Sequence, residues 1–216
     1  MTIIAIDGPA GAGKTAVARS VAEALGWDHV NTGAMYREVA LEVLLRGIDP
    51  GDEDAVEELA RLLAPSLGSQ PNPADKEDRL REPDVSRAAS VVARNPGVRR
   101  ALAERQRILA HSTDVVMEGR DIGTVVAPDA EVKLYLTASR EVRAARRRRQ
   151  LRLPDDERTA REVETAIAER DHADEVRELS PLTPAPTAIV LDSTDQDLGT
   201  VVAQALRVIR EQLGAR

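Results

Sequence analysis

Hydrophobic and polar positions follow two rhythms along this chain. Short apolar runs bounded by turn residues lie at 2–7 (TIIAID), 27–30 (WDHV), 114–119 (DVVMEG), 130–137 (AEVKLYLT) and 187–192 (TAIVLD). They predict strands, the longer ones buried within a sheet. Between them, apolar residues recur at helical spacing. Val17, Val21 and Leu25 share a face in the stretch 16–26, and Gly26 supplies the stop. Further helices are predicted over 32–47, 52–64, 84–94, 98–111, 139–152, 156–177 and 197–213. Acidic residues open the helix at 52–64, where they suit the helix dipole. Residues 65–83 carry four prolines, several charges and almost no apolar period, and read as an exposed loop or poorly ordered insert. Strands alternating with helices predict an α/β domain with a parallel sheet.

Composition narrows this. At 216 residues the chain suits one domain, and a hydrophobic share of 42% is enough for a core. Aromatic residues reach only 1%, with no Phe, one Trp and two Tyr, so Ala, Val and Leu must build that core. Of the tyrosines, Tyr135 lies in a strand and reads as core packing. The net charge of −7 argues against a general nucleic-acid or anionic-membrane binder, so any anion site must be local. Without cysteine there is no disulfide and no thiolate metal site. The start lacks the pattern of a signal peptide and no apolar run is long enough to span a bilayer, which predicts a cytoplasmic protein.

The strongest local signal is Gly8-Pro9-Ala10-Gly11-Ala12-Gly13-Lys14-Thr15, which fits G-x-x-x-x-G-K-[ST] between a predicted strand and a predicted helix. Small residues let successive backbone N–H groups curl around a phosphate, and the helix N-terminus adds partial positive charge. Lys14 reaches for the β- and γ-phosphates, and the Thr15 hydroxyl is the candidate Mg²⁺ ligand. Asp7 either helps order the metal or its water, or caps the turn.

Three uses of a nucleoside triphosphate compete. A switch GTPase needs a guanine-reading N-K-x-D segment, which is absent. A motor favours a strand ending in Asp-Glu, whereas here the strand runs into Glu118-Gly119-Arg120-Asp121. An arginine there suits a second anion, the phosphoryl acceptor of a small-molecule kinase. Such a kinase needs arginines that converge from several segments and can bind phosphate bidentately, and the chain offers Arg37, Arg99, Arg120, Arg146, Arg170 and Arg177. A nucleotide that is only bound, by a regulator or nucleic-acid-binding protein without kinase activity, is the alternative from another class.

The segments IDGPAGAGKT, NTGAMYR, EGRDIGTVVAPDAEVKLYLTAS, RD…DEVRELSPLTPA and AIVLDST occur in the order found in bacterial cytidylate kinases, which the chain resembles from about residue 3 to 194. The resemblance implies a P-loop NTPase three-layer sandwich: a parallel sheet of about five strands flanked by helices, in one domain over 1–216. It also implies a CMP-binding insert at about 38–100 and an arginine-rich helical lid at about 140–180. The implied reaction is transfer from ATP, with Mg²⁺, to CMP or dCMP. Kinases of other small acceptors such as UMP or shikimate are the runner-up.

The same resemblance implies residue roles. Gly8 to Thr15, with Ala16 and Arg146, would bind ATP, and Lys14, Arg120, Arg146 and Arg170 would be catalytic. Arg37 and Arg120 would grip the CMP phosphate beside Tyr36 and Thr32. Ser90, Arg99 and Asp121 would read cytosine, whose exocyclic amine suits a carboxylate acceptor. Asp174 would accept from a ribose hydroxyl, with Arg170 and Arg177 near sugar and phosphate. Within the arginine run, Arg143, Arg146 and Arg147 fall near one face, and only Arg146 is read as functional. His29, His111 and His172 show no metal spacing and read as structural. Asn31 and Glu118 stand where the family commonly has Asp, and 65–83 lacks the strand alternation of the family's β-rich insert. The partners expected are CMP and dCMP, with no nucleic acid or membrane, and the chain is expected to be a monomer.

Overall fold

A computed structural model describes residues 1–69, 72–176 and 181–214. The chain divides into two compact units, one formed by Met1–Val30 with Ala110–Arg216 and the other by Asn31–Leu109.

The first unit is built on a five-stranded sheet. Its strands are β1 (Ile3–Asp7), β2 (Asp28–Asn31), β3 (Val115–Gly119), β4 (Val132–Thr137) and β5 (Ile189–Asp192), in the order β2-β3-β1-β4-β5. β1 pairs in parallel with β3 and with β4, and β4 with β5. β1 and β3 are buried along their whole length, which is why they read as unbroken apolar runs. Between β1 and β2 lies α1 (Lys14–Leu25), which ends at left-handed Gly26 as its sequence predicts. α1 packs with the last helix of the chain on a core of Ile4, Ile6, Val17, Val21, Leu134, Leu136 and Ile209. Aliphatic side chains fill it, and Trp27 packs at its edge.

The second unit is helical. α2 (Thr32–Leu45), α3 (Glu53–Leu63), α4 (Ala74–Leu80), α5 (Pro83–Val92) and α6 (Pro96–Ala110) enclose Met35, Val39, Val43, Val56, Leu80, Val85, Val92 and Leu102. Asn31 caps α2 by accepting from Ala34 N at 2.9 Å, and Asp52 caps α3 from Ala55 N at 3.1 Å. The expectation of an unstructured 65–83 is corrected here. A 3-10 turn (Ala64–Ser66) opens that stretch and α4 occupies much of its second half. α4 escaped sequence reading because its one buried apolar residue, Leu80, gives no period. Asp75 and Glu77 favour its first turn. The start of α4 is held by Glu38 on α2, which accepts from Asn72 Nδ2 just before the helix at 2.9 Å and from Lys76 Nζ within it at 2.5 Å.

Back in the first unit, a π-helical turn (Ile122–Val126) follows β3, and α7 (Arg140–Gln150) and α8 (Glu157–Glu175) follow β4. These two helices pack on each other through Ala144, Val163 and Ile167. α9 (Leu198–Gly214) ends the described chain.

Candidate active site

The loop 8–15 joins the buried end of β1 to α1. Gly8 has φ +149° and a Cβ there would lie 2.0 Å from the Leu136 carbonyl oxygen on β4. Gly11 has φ +76° and its Cβ would approach the Arg143 carbonyl oxygen to 2.9 Å. Glycine is required at both, since neither conformation nor space admits a side chain. Gly13 precedes α1 with no side-chain cap, leaving the first turn's N–H groups to an anion.

The loop's carbonyls face cations. Lys14 Nζ donates to Gly8 O and to Pro9 O, both at 2.8 Å. Arg143 Nη1 donates to Ala10 O at 3.0 Å, and Arg146 Nη1 to Ala12 O at 3.3 Å. In a planar trans peptide the C=O and the next N–H point oppositely. The Gly11 and Gly13 N–H groups are therefore turned away from those arginines, as a phosphate cradle requires.

Cations converge on this loop. Burial, then the charges of Arg120 and Arg170, hold the Lys14 ammonium well below its usual range. Arg170 is lowered to about 10, first by desolvation and then by Arg120. Arg120 Nε donates to Asp174 Oδ2 at 3.0 Å, so the carboxylate expected at a ribose hydroxyl here orients an arginine. Arg146 also donates to Ser193 Oγ at 2.8 Å and to Ser193 O at 2.7 Å, which docks it beside Ala12. Three of the sequence-predicted cations, Lys14, Arg120 and Arg170, thus lie within electrostatic reach of one another. Such mutual repulsion is relieved by a polyanion.

Thr15 and Glu118 test the fit to Mg²⁺. Thr15 Oγ1 donates to Glu118 Oε2 at 3.0 Å, which aims the hydroxyl proton at the carboxylate and leaves oxygen lone pairs for a cation. No cluster of three or more His, Asp or Glu suited to a metal occurs among the described residues. A hard cation here would therefore rely on Thr15, phosphate oxygens and water, a donor set that suits Mg²⁺. His29, read from the sequence as merely structural, lies with Nε2 3.3 Å from Glu118 Oε1.

Asp7 caps a turn, though not that of its own loop. Its two carboxylate oxygens accept from Ile122 N at 2.9 Å and Gly123 N at 2.8 Å, holding the turn after Asp121. Burial pushes its carboxyl up to about 6 against the lowering effect of those two N–H groups. Tyr135 also departs from its expected core role. It is half-buried, on the β4 face opposite Leu134 and Leu136, with Arg120, Asp171 and Asp7 acting electrostatically on its phenol. The signal was its parity: Val132, Leu134 and Leu136 occupy the buried positions, so Tyr135 alternates out of them.

In the second unit, Thr32 is buried at the start of α2 and Tyr36 follows one turn later. The Arg99 guanidinium from α6 lies over the Tyr36 ring, 5.7 Å from its centroid. Arg99 is buried, and its Nη1 donates to Ala93 O at 3.5 Å. Ser90 Oγ donates to Ser86 O at 3.1 Å within α5, and Arg37 stands on α2 beside Gly33. Ala16 is exposed on the first turn of α1. Arg177 lies outside the described residues.

A family model described as "Cytidylate kinase" matches residues 4–211. The chain is 42% identical over 216 residues to a cytidylate kinase of Solibacter usitatus, spanning 98% of this chain and 93% of that one. It is 45% identical over 211 residues to a cytidylate kinase of Caldanaerobacter subterraneus subsp. tengcongensis, spanning 96% and 94%. Among solved structures, an uncharacterized protein from Eubacterium ventriosum superimposes with a TM-score of 0.54 at 15% identity, covering 97% of this chain and 98% of that one. That likeness concerns the fold alone.

Proposed function

The chain belongs to the cytidylate kinase family, and on that premise we propose that it transfers the γ-phosphoryl group of ATP to CMP or dCMP, giving ADP and CDP or dCDP. The observation that carries the reading is the set of cations around the phosphate loop: Lys14 lies on the loop carbonyls, Asp174 orients Arg120 through its Nε at 3.0 Å, and Arg120 and Arg170 both act on the Lys14 ammonium. A nucleoside monophosphate attacks through a phosphate oxygen already deprotonated at neutral pH, so the reaction needs positioning and charge rather than a general base.

The loop 8–15, with Ala16, takes the donor phosphates through backbone N–H groups and the Lys14 ammonium. Arg120, Arg146 and Arg170 offset the charge that develops as the phosphoryl group moves. Thr15 would hold Mg²⁺, which would supply further neutralisation of the donor phosphates' charge. Arg37 and Arg120 hold the acceptor phosphate, Thr32 and Tyr36 line its nucleotide, and Arg170 with Asp174 and Arg177 takes sugar and phosphate. Ser90, Arg99 and Asp121 select cytosine. Uracil has a carbonyl where cytosine has its amine and would meet Asp121 with like polarity. The net charge of −7 supports small-molecule rather than nucleic-acid partners, and we place the activity in a cytoplasmic monomer. Among the described residues, no helix is long and apolar enough to cross a membrane.

A coupled ADP-release assay with Mg-ATP against CMP, dCMP, UMP, AMP and GMP tests this. The expected result is preference for CMP and dCMP, relaxed in Asp121→Ala. Arg37→Ala should lose about 10- to 100-fold in kcat/KM with every acceptor, the value of a charged hydrogen bond. Equal turnover of UMP would remove the cytosine assignment, and no acceptor-dependent release would remove the kinase.

A further inference from the structure

Ala10, the third residue of the phosphate loop, is gripped on both of its polar atoms by one buried ion pair. Its N–H donates to Asp171 Oδ1 of α8 at 3.0 Å, and its carbonyl accepts from Arg143 Nη1 of α7 at 3.0 Å. The same Arg143 Nη1 pairs with Asp171 Oδ2, and Arg143 Nε donates to Ala138 O at 3.0 Å. Arg143 is 8% exposed and Asp171 7%, so water contributes little to either charge. Gly11 seats directly on the Arg143 backbone, where any Cβ would collide.

These contacts fix two consecutive peptide planes. Asp171 sets the Pro9–Ala10 plane through the N–H, consistent with the Pro9 carbonyl facing Lys14 on the other side. Arg143 sets the Ala10–Gly11 plane through the carbonyl, which turns the Gly11 N–H the opposite way, toward where a phosphate would lie. The contact also fixes the rotation of α8 about its axis. Arg170 is the residue before Asp171, and Asp174 lies three residues on, on the same face. Anchoring Asp171 to the loop therefore places Arg170 within reach of Lys14 and Arg120, and Asp174 on Arg120 Nε.

We propose that Arg143 and Asp171 are positioning residues for phosphoryl transfer: an ion pair that registers α8, and with it Arg170, on the phosphate loop at Ala10. The inference rests on the kinase reading above. Neither side chain touches the reacting atoms. Each acts through the peptide planes of the loop and through Arg170. Its signature is a loss in kcat larger than any rise in KM, because Arg170 and Asp174 shift while the acceptor-binding residues of α2, α5 and α6 are untouched.

The test combines steady-state kinetics with hydrogen exchange on the full chain, using Arg143→Ala, Asp171→Ala, their double variant and the conservative Asp171→Asn and Arg143→Lys. Both alanine variants should lose about a hundredfold in kcat, the scale of a small misplacement, with KM for CMP and ATP changed by no more than about threefold. The double variant should be no worse than the poorer single one, since the two act as a unit. Asp171→Asn keeps an acceptor for the Ala10 N–H and should recover about tenfold over Asp171→Ala. The Ala10 amide should exchange faster in Asp171→Ala than in the parent protein or Asp171→Asn. Unchanged kcat with a lowered unfolding midpoint would make the pair a stabilising brace and overturn the proposal, as would additive losses. If the alanine variants do not fold, Asp171→Asn and Arg143→Lys decide by the same kcat-to-KM split. Absence of CMP turnover in the parent protein would instead overturn the kinase reading, and Ala10 exchange then judges the clamp by itself.

Discussion

At the scale of single residues, Asp7 shows how burial and function meet at the end of a strand. Its side chain is 4% exposed and bridges two amides more than a hundred positions away in sequence, in the turn that follows Asp121. From the sequence, metal and capping roles stood level, because nothing local reveals a partner at that separation. Burial raises the folded-state pKa from 3.8 to about 6. The folded chain therefore binds a proton more tightly than the unfolded one. The stability this contributes is full below about pH 4 and is lost as pH rises through 6, about 3 kcal/mol in all. Asp7→Asn cannot ionise. Its unfolding free energy relative to the parent protein should rise by about that amount between pH 4 and pH 7, in urea titrations at each pH. A difference independent of pH would mean that Asp7 ionises in the fold as easily as in water.

Among the elements, legibility tracked how local the determining physics is. The loop 8–15 is written in consecutive residues, and so was its placement between β1 and α1. Each helix with a stripe of apolar residues was found, and Gly26 stops α1 where expected. α4 was missed because acidic first-turn residues and one buried leucine carry no period, and the Glu38 contacts that secure Asn72 and Lys76 come from another helix. The run of arginines in α7 was read for charge. Arg146 was singled out, but the burial of Arg143 against Asp171 depends on α8 folding back, which no spacing encodes. The loop also predicts its own fragility. In Gly8→Ala the new methyl would meet the β4 backbone at Leu136 O, a neighbour that cannot swing aside as a side chain can. With φ at +149° as well, the cost should exceed about 3 kcal/mol. Circular-dichroism melts should show either a large fall in Tm or loss of the soluble protein. A midpoint within a degree or two of the parent would show that β1 and β4 can separate at that point.

For the molecule as a whole, the acidic net charge and the cationic loop pull in opposite directions. A chain of net charge −7 gathers Lys14, Arg120 and Arg170 where Arg120 disfavours the charge of the other two and Arg170 that of Lys14. Without an anion this is a cost to stability, partly offset by Asp174 and Asp171. With a triphosphate it becomes binding energy, so stability and function are exchanged through the same side chains. Mg-ATP at a hundred times its Kd should stabilise the protein by about 2.7 kcal/mol, raising Tm by roughly 5–10 °C for a chain of this size. Arg170→Met removes one cation while keeping much of its volume. Its ligand-free Tm should equal or exceed that of the parent by about 2 °C, because a half-buried charge crowded by Arg120 is replaced by an apolar group. Its response to Mg-ATP should shrink and its turnover of CMP should collapse. Differential scanning calorimetry with and without nucleotide reads both effects. A lower ligand-free Tm with an undiminished ATP response would assign Arg170 to the architecture of α8 and leave the phosphate charge to Lys14 and Arg120 alone.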